Sequence, residues 1–298
     1  MPNAKLKNYF HLHFLVFIAG FTAILGELIT ISAIPLVWFR MVMAFILMFI
    51  YIKIAKVKIK ITPKSIIRLS IAGIIIALHW ITFFGAIDEA NISIALAMFS
   101  TGAFFASFIE PIIYKRSIIW YEIVFGIIVI IGVFIITQSE IKYLTGILLG
   151  ISSAFFSSLF AVLNGKFLKQ HTATIISFYE FLSGVFFISL YLLFFDSGFS
   201  VDFFSLSLSD FGYLFILASI CTAYAFIASV HVMKLISPYT VVLTYNLEPI
   251  YGIILAIILF PETEIMSSSF YYGALIILTT VLLNGLLKNS RLIKRKHS

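Results

Sequence analysis

Long apolar runs alternate with short polar breaks along the whole chain. Each run is bounded by charged residues, by proline or by clusters of Asn and Ser, and each approaches the roughly 20 residues that a helix needs to cross a bilayer. Strands are excluded, because open strands cannot pair their backbone groups in lipid. The pattern predicts transmembrane helices at 12–31, 36–54, 65–86, 92–113, 118–137, 145–165, 173–195, 211–232, 238–259 and 270–288.

Composition supports an all-α integral membrane protein. Of the 298 residues, 62% are hydrophobic and 11% are charged, and the mean hydropathy is +1.12. One soluble core cannot bury that much apolar surface. Ten helices also leave no room for a sizeable soluble domain. The single cysteine, Cys221, rules out an intramolecular disulfide and a cysteine-based metal cluster.

The basic residues predict the orientation of the helices. If the N-terminus is cytoplasmic, all but two of the 20 Lys and Arg residues lie on the cytoplasmic side or at helix ends there, the exceptions being Arg40 and Lys142. The opposite loops collect Asp and Glu. By the positive-inside rule, both termini are cytoplasmic in a multi-pass protein of the cell membrane. The net charge of +7 therefore reflects membrane topology, and no nucleic-acid partner is expected.

Two halves of five helices predict an internal duplication. An odd number of helices makes the second copy enter the membrane from the other side, so the repeats are inverted. A shift of about 147 residues places 121–130 over 268–277, and a shift near 140 earlier in each half places Arg40 over Glu180. We expect repeats at residues 1–141 and 142–298, the second with a basic cytoplasmic tail.

Two Glu-Pro pairs stand out, Glu110-Pro111 and Glu248-Pro249. The repeat register does not equate them, because it places Glu248 and Pro249 over Thr101 and Gly102. The first pair is expected to end a helix at the cytoplasmic surface. The second pair is expected near the middle of the membrane.

Two segments carry a resemblance to a known family. "IPLVWFRMVMA" (34–44) and "SPYTVVLTYNLEPIYGIILAIILFPE" (237–262) resemble the Pro and Arg of helix 2 and the helix 9 signature of the EamA family, in the drug/metabolite transporter superfamily. Gly102 stands where the family usually has proline, so helix 4 is expected to be less kinked than helix 9. The resemblance implies a ten-helix basket whose central cavity moves small metabolites or amino acids by alternating access.

Glu248 is the leading candidate for substrate binding or coupling. No basic residue is near it in its segment, and Pro249 has no N–H for the carbonyl of Tyr245. The stripe that contains Glu248 faces either a cavity or a partner helix. Its other members are Thr240, Thr244 and Tyr251.

Other intramembrane polar residues leave two interpretations open. Glu27 and Arg40 lie at equal depth about a hairpin turn, so they form either a structural ion pair or a site for a proton or a substrate carboxylate. His79 and Trp80 belong either to the packed interior or to a proton relay or substrate contact. Glu180 is an inner-gate or structural acid. Small polar residues mark either helix contacts or cavity walls on helices 4, 6 and 8, namely Thr101, Ser157 and Thr222.

These features predict a secondary transporter for a small metabolite, an amino acid or related compound, working as an exporter. No P-loop is present, so ATP cannot drive it directly. Proton coupling is open, with Glu248, Glu27 or His79 as carrier. The alternative, an intramembrane enzyme acting on lipid or peptide, needs a metal motif, a nucleophile motif or paired aspartates, and the sequence has none. We expect no enzymatic activity, no cofactor, no metal site and a monomeric protein.

Overall fold

The computed structural model describes residues 2–115, 117–195, 198–226, 228, 232 and 244–296, with side chains between 7 and 287. Its regular elements are helical. A 3-10 turn precedes α7 at Ile141–Tyr143, another follows α8 at Asp202–Phe204, and a π-helical turn follows α9 at Ser219–Tyr224. The α-helices are α1 Pro2–Leu28, α2 Ala33–Ile54, α3 Pro63–Glu89, α4 Ile92–Phe99, α5 Gly102–Tyr114, α6 Trp120–Ser139, α7 Leu144–Phe167, α8 Ala173–Phe195, α9 Leu208–Ala218, α10 Glu248–Leu259, α11 Pro261–Glu264 and α12 Ser268–Lys296.

The described chain contains eight helical segments long and apolar enough to cross a membrane, with α4 and α5 counted together. Two shorter apolar helices are Leu208–Tyr224, which overlaps the eighth predicted segment, and Glu248–Leu259, which lies within the ninth. Parts of those two segments, including Thr240, lie outside the described residues. The all-helical, multi-pass membrane class is therefore confirmed, whereas the number of ten helices remains a prediction.

Several helices begin at capping residues that are visible in the sequence. Thr62 accepts a hydrogen bond from the Ser65 amide ahead of Pro63, and Asn91 accepts one from the Ile94 amide. Such side chains satisfy amides that have no partner in the first helical turn, and proline is well suited to the first helical position. These caps fix where α3 and α4 start.

Close helix crossings build the bundle. α3 packs most extensively against α7 and α8, α1 runs along α10, and α6 pairs with α12. A Cβ atom at Gly73 would collide with the backbone of Glu180, and one at Gly20 would lie 3.0 Å from the carbonyl oxygen of Glu248. Small residues allow this approach, which favours helix association in lipid. The crossings place α8 against α3 and α10 against α1.

Carboxylates cap helix starts at one end of the bundle, which we call the acidic end (residues 29–32, 88–91 and 260–267). Glu264 is fully buried and accepts hydrogen bonds of 2.8 Å from the amides of Ile92 and Ser93. Asp88 accepts one of 3.0 Å from the Ala33 amide. Unpaired amides and the helix dipole make these positions favourable for negative charge. The end of α11 is thereby tied to the start of α4.

Candidate functional site

The predicted ninth helix is interrupted immediately before Glu248. Thr244 and Tyr245 are helical, Asn246 and Leu247 form a turn, and α10 begins at Glu248. Pro249 lies in the first turn of α10, where a missing N–H costs nothing. The carboxylate is therefore carried at the positive end of a helix within an apolar segment.

Arg40 of α2 points into the bundle. Its side chain is 3% exposed, and its guanidinium carbon lies 3.9 Å from the centroid of the Trp80 ring. The Nε atom donates a 2.9 Å hydrogen bond to Thr222 Oγ1. One terminal nitrogen is buried without a partner in the described structure. Stacking on Trp80 and the bond to Thr222 thus hold the cation in place while leaving donor capacity unused.

A π-helical turn presents Thr222 to Arg40. Thr222 lies within Ser219–Tyr224 and donates a 2.8 Å hydrogen bond to the carbonyl of Leu217, five residues earlier. Its hydroxyl proton is used there, so a lone pair is free to accept from Arg40. Single π turns inside helices occur frequently at functional sites. The sequence identified Thr222 as a candidate but contained no recognisable signal for the π turn.

Arg40 and Glu248 are near enough to interact electrostatically. They form no direct ion pair, and Glu248, which is partly exposed, makes no hydrogen bond to any residue that the structure describes. The bundle thus brings together a buried cation and an acid from different helices, each with unused hydrogen-bonding capacity. We call Arg40, Trp80, Thr222 and Glu248 the charged cluster.

The predicted ion pair between Glu27 and Arg40 is not formed among the described residues. Glu27 is exposed and interacts electrostatically with Asp88 and Glu264 at the acidic end. Arg40 turns toward Trp80 instead. The hairpin fixes the depth of both residues but leaves open the direction in which each side chain leaves its helix. Equal depth was therefore insufficient evidence for a pair.

His79 of α3 lies against α7. Its ring is buried, with Nδ1 at 2.8 Å from Ser153 Oγ and 3.1 Å from the Ser153 carbonyl oxygen. The ring also stacks near Phe99, with centroids 5.4 Å apart. These contacts provide a buried histidine with the hydrogen bond that it requires. Sequence reasoning did not identify Ser153 as its partner.

The candidates of the fourth and sixth predicted helices, Thr101 and Ser157, lie near the contact between α5 and α7, which Ser158 bridges. Thr101 is buried and donates a 2.7 Å hydrogen bond to the Met98 carbonyl. Ser157 is partly exposed on α7, whereas its neighbour Ser158 donates a 2.7 Å bond to the carbonyl of Gly102. No hydrogen bond in the described structure joins Thr101 or Ser157 to the charged cluster.

Tyr251 lies one turn after Glu248 and faces α1. Its hydroxyl is 3.1 Å from His13 Nδ1, and its ring meets Phe17 edge-on at 6.5 Å between centroids. His13 was not predicted, because it lies at the very start of the first apolar run. Thr244, on the other side of the break, is partly buried.

Comparison with known proteins identifies the family. The model of the EamA-like transporter family matches the chain twice, at residues 8–138 and 144–286. A solved structure described only as "Crystal structure of protein" superposes with a TM-score of 0.64 at 11% identity, covering 95% of this chain and 98% of that one. This likeness supports the fold. No curated protein sequence matches significantly. Since the two matches span most of the chain, it belongs to the EamA-like transporter family, membrane transporters of the drug/metabolite transporter superfamily.

Proposed function

We propose that the protein exports an amino acid or a closely related zwitterion across the cell membrane by alternating access. The observation that carries this proposal is the charged cluster, in which a buried Arg40 and a partly exposed Glu248 lie near each other without a direct ion pair. Separated charges of opposite sign match the carboxylate and ammonium groups of an amino acid.

Each charge suits one end of such a substrate. Arginine is planar and permanently charged, and its fork of N–H donors fits a carboxylate. Trp80 stacks on the face of the Arg40 guanidinium, and Thr222 accepts a hydrogen bond from its Nε atom. The terminal nitrogens of Arg40 are thereby left for a ligand. A substrate ammonium would pair with Glu248. A bound zwitterion would thereby satisfy both groups in a region where unpaired polar groups are costly.

Alternating access is supported by the broken helices. Transporters built from inverted repeats bind their substrates where discontinuous helices meet near the middle of the membrane. In this chain the breaks at Thr101 and Glu248 occupy equivalent positions of the proposed repeats, residues 1–141 and 142–298. The basic residues favour cytoplasmic termini, and the resemblance to the family favours export.

A flux assay in proteoliposomes tests the proposal with matched sets of three compounds. Each set contains an amino acid, the amine left by its decarboxylation and the acid left by its deamination. We expect protein-dependent flux of an amino acid well above that of its amine or acid. Flux of none of these compounds, or equal flux of all three members of a set, would contradict a zwitterion site.

Two variants assign the ends of the substrate. Glu248→Gln should lose the discrimination against the deaminated acid, and Arg40→Gln should lose the discrimination against the amine. Glu27→Gln is the matched control, since Glu27 is an exposed acid with no described hydrogen bond or ion pair to the charged cluster, and its electrostatic neighbours are Glu264 and Asp88. Size-exclusion profiles and thermal unfolding of each variant separate a loss of recognition from a loss of folding.

A further inference from the structure

A second buried acid lies apart from the charged cluster, between α7 and α8. Glu180 is 0% exposed and Asn164 is 8% exposed. Asn164 Nδ2 donates a 3.4 Å hydrogen bond to Glu180 Oε2. The two remaining oxygens, Glu180 Oε1 and Asn164 Oδ1, are both buried without a partner in the described structure. Two adjacent side chains thus each have an unsatisfied acceptor.

No described cation neutralises Glu180. Its described hydrogen-bond partner is the neutral amide of Asn164. The charged and titratable groups of α2, α3, α7 and α8 are engaged or exposed elsewhere. Arg40 stacks on Trp80, His79 bonds Ser153, Tyr179 donates to the Ile59 carbonyl, and Asp88 accepts from the Ala33 amide. The others are exposed, namely Tyr51, Lys53, Lys64, Arg68, Glu89, Lys166 and Tyr191.

One proton would satisfy both acceptors. An ionised carboxylate buried without a counter-charge is costly, and two acceptor oxygens cannot bond each other. A protonated Glu180 has one O–H donor. That O–H can donate to Asn164 Oδ1 while Asn164 Nδ2 donates to the other carboxyl oxygen. A neutral acid and an amide then form a closed pair of hydrogen bonds.

We propose that Glu180 and Asn164 form a proton-binding site, in which a neutral Glu180 donates to the Asn164 amide oxygen, and that this proton is exchanged during transport. The second half of the statement rests on the proposed transport function. On protonation the carboxylate takes one proton from a hydronium ion and releases one water molecule. Release reverses that step.

The location of the pair fits exchange at one side of the membrane. Asn164 lies about one turn before the end of α7, and Glu180 about two turns into α8. Both are close to the 168–172 connection, which the distribution of basic residues places in the cytoplasm. Gly73 of α3 packs directly against the backbone of Glu180, with no room for a Cβ atom between the two helices. Movement of α8 relative to α3 would therefore change the access of water to the acid.

Infrared spectroscopy of the purified full-length protein in nanodiscs tests proton binding without a substrate. We expect the carbonyl stretch of a protonated carboxylic acid at neutral pH, with loss of the band at alkaline pH and a shift in heavy water. Glu180→Gln should remove the band, and Asn164→Leu should shift it because the acid loses its amide partner. Glu264→Gln, which alters a buried acid held by two backbone amides, should leave it in place.

Two infrared results would overturn the proposal. One is the absence of any band that depends on Glu180. The other is a band that neither pH nor heavy water changes, because such a proton is trapped and cannot be exchanged.

A flux measurement with the amino acids that the wild-type protein moves tests the coupling. A gradient of one pH unit supports about tenfold accumulation of substrate if one proton is exchanged per molecule. Glu180→Gln should lose this accumulation while retaining exchange of labelled for unlabelled substrate, because Gln keeps a hydrogen-bonded neutral group in place. Accumulation by Glu180→Gln at the wild-type level would contradict the coupling. If no compound is moved by the wild-type protein, the transport function fails, and the infrared result still decides whether the site binds a proton.

Discussion

The fourth and ninth predicted helices are both broken, at positions that the proposed repeat register aligns, but the chemistry of the two breaks differs. In the fourth predicted helix, α4 ends at Phe99 and α5 begins at Gly102. The Thr101 hydroxyl between them donates a hydrogen bond to the carbonyl of Met98. The ninth resumes as α10 at Glu248 with Pro249 in its first turn. One break satisfies its own polar groups, whereas the other presents a carboxylate near Arg40.

The two halves of the chain share a helix interruption, but only one of the two interruptions carries a charged side chain. The same interruption occurs with Gly102 in one half and Pro249 in the other, so proline is not needed to break the helix. Both helices are interrupted, α4 and α5 being separate elements, and the expectation that helix 4 is less kinked than helix 9 stays a prediction. Charge, by contrast, occurs at one break alone. We expect substitutions at equivalent positions to have unequal effects.

Replacing the carboxylate gives the largest expected effect. Glu248→Thr makes the break of the ninth helix chemically similar to that of the fourth. A hydrogen bond to a charged group contributes about 1.5–3 kcal/mol, so amino acid flux should fall by roughly tenfold to 150-fold. Thr101→Ala, measured in the same liposome assay, should stay close to wild type. Equal losses in both variants would show that the two breaks contribute alike.

Double-mutant cycles measure how strongly Arg40 is coupled to the residue at each break, Glu248 or Thr101. Arg40→Lys and Glu248→Gln should be coupled by about 0.5–3 kcal/mol in flux, as expected for groups in one electrostatic network. Arg40→Lys and Thr101→Ala should be additive within about 0.5 kcal/mol. Additivity in the first cycle would separate Arg40 from Glu248 and contradict the shared site.

Exchanging the residues that follow the breaks tests the role of proline. Pro249→Ala restores an amide that can bond the Tyr245 carbonyl and continue the helix. A cost of about 1 kcal/mol would lower flux roughly fivefold. The matched change at the other break is Gly102→Ala, whose Cβ atom would lie 3.1 Å from the Ser158 hydroxyl, the end of a side chain that can move, and it should preserve flux. A larger loss in Gly102→Ala than in Pro249→Ala would reverse the comparison.

The smallest expected effect is on stability, and it comes from weakening the cap at the start of α4. Glu264→Gln weakens the two bonds to the amides of Ile92 and Ser93 and should lower the free energy of unfolding by about 1 kcal/mol. The exposed neighbour Glu262 provides the control, Glu262→Gln. Thermal unfolding in detergent compares the two variants, and equal midpoints would show that the cap contributes nothing.

Helix positions were largely predictable from the sequence, because a helix in lipid needs an unbroken apolar run and a polar boundary. The seventh segment was predicted at 173–195 and observed as Ala173–Phe195. The fourth segment shows the limit. Residues 92–113 read as one apolar run with scattered polar positions, and hydropathy does not distinguish the interruption at Ser100 and Thr101 from the polar positions inside α5, Ser107 and Glu110.

The candidate site was predictable one residue at a time. Arg40, Trp80, Thr222 and Glu248 were each identified because polar groups in an apolar segment are costly unless they face protein, water or a ligand. Their meeting was not predicted, and the structural ion pair considered for Glu27 and Arg40 is not formed among the described residues. Hydropathy reports how deep a residue lies, whereas partners depend on helix rotation and on crossings between segments far apart in sequence.

The sequence by itself determined a multi-pass helical membrane protein, its family, and the buried polar residues that require an explanation. These properties follow from local composition and from the length of apolar runs. Only the tertiary structure decided that Arg40 stacks on Trp80 near Glu248 and that Glu180 meets Asn164. Those contacts join different helices, so their geometry is set by how closely the helices cross, at points such as Gly73 and Gly20.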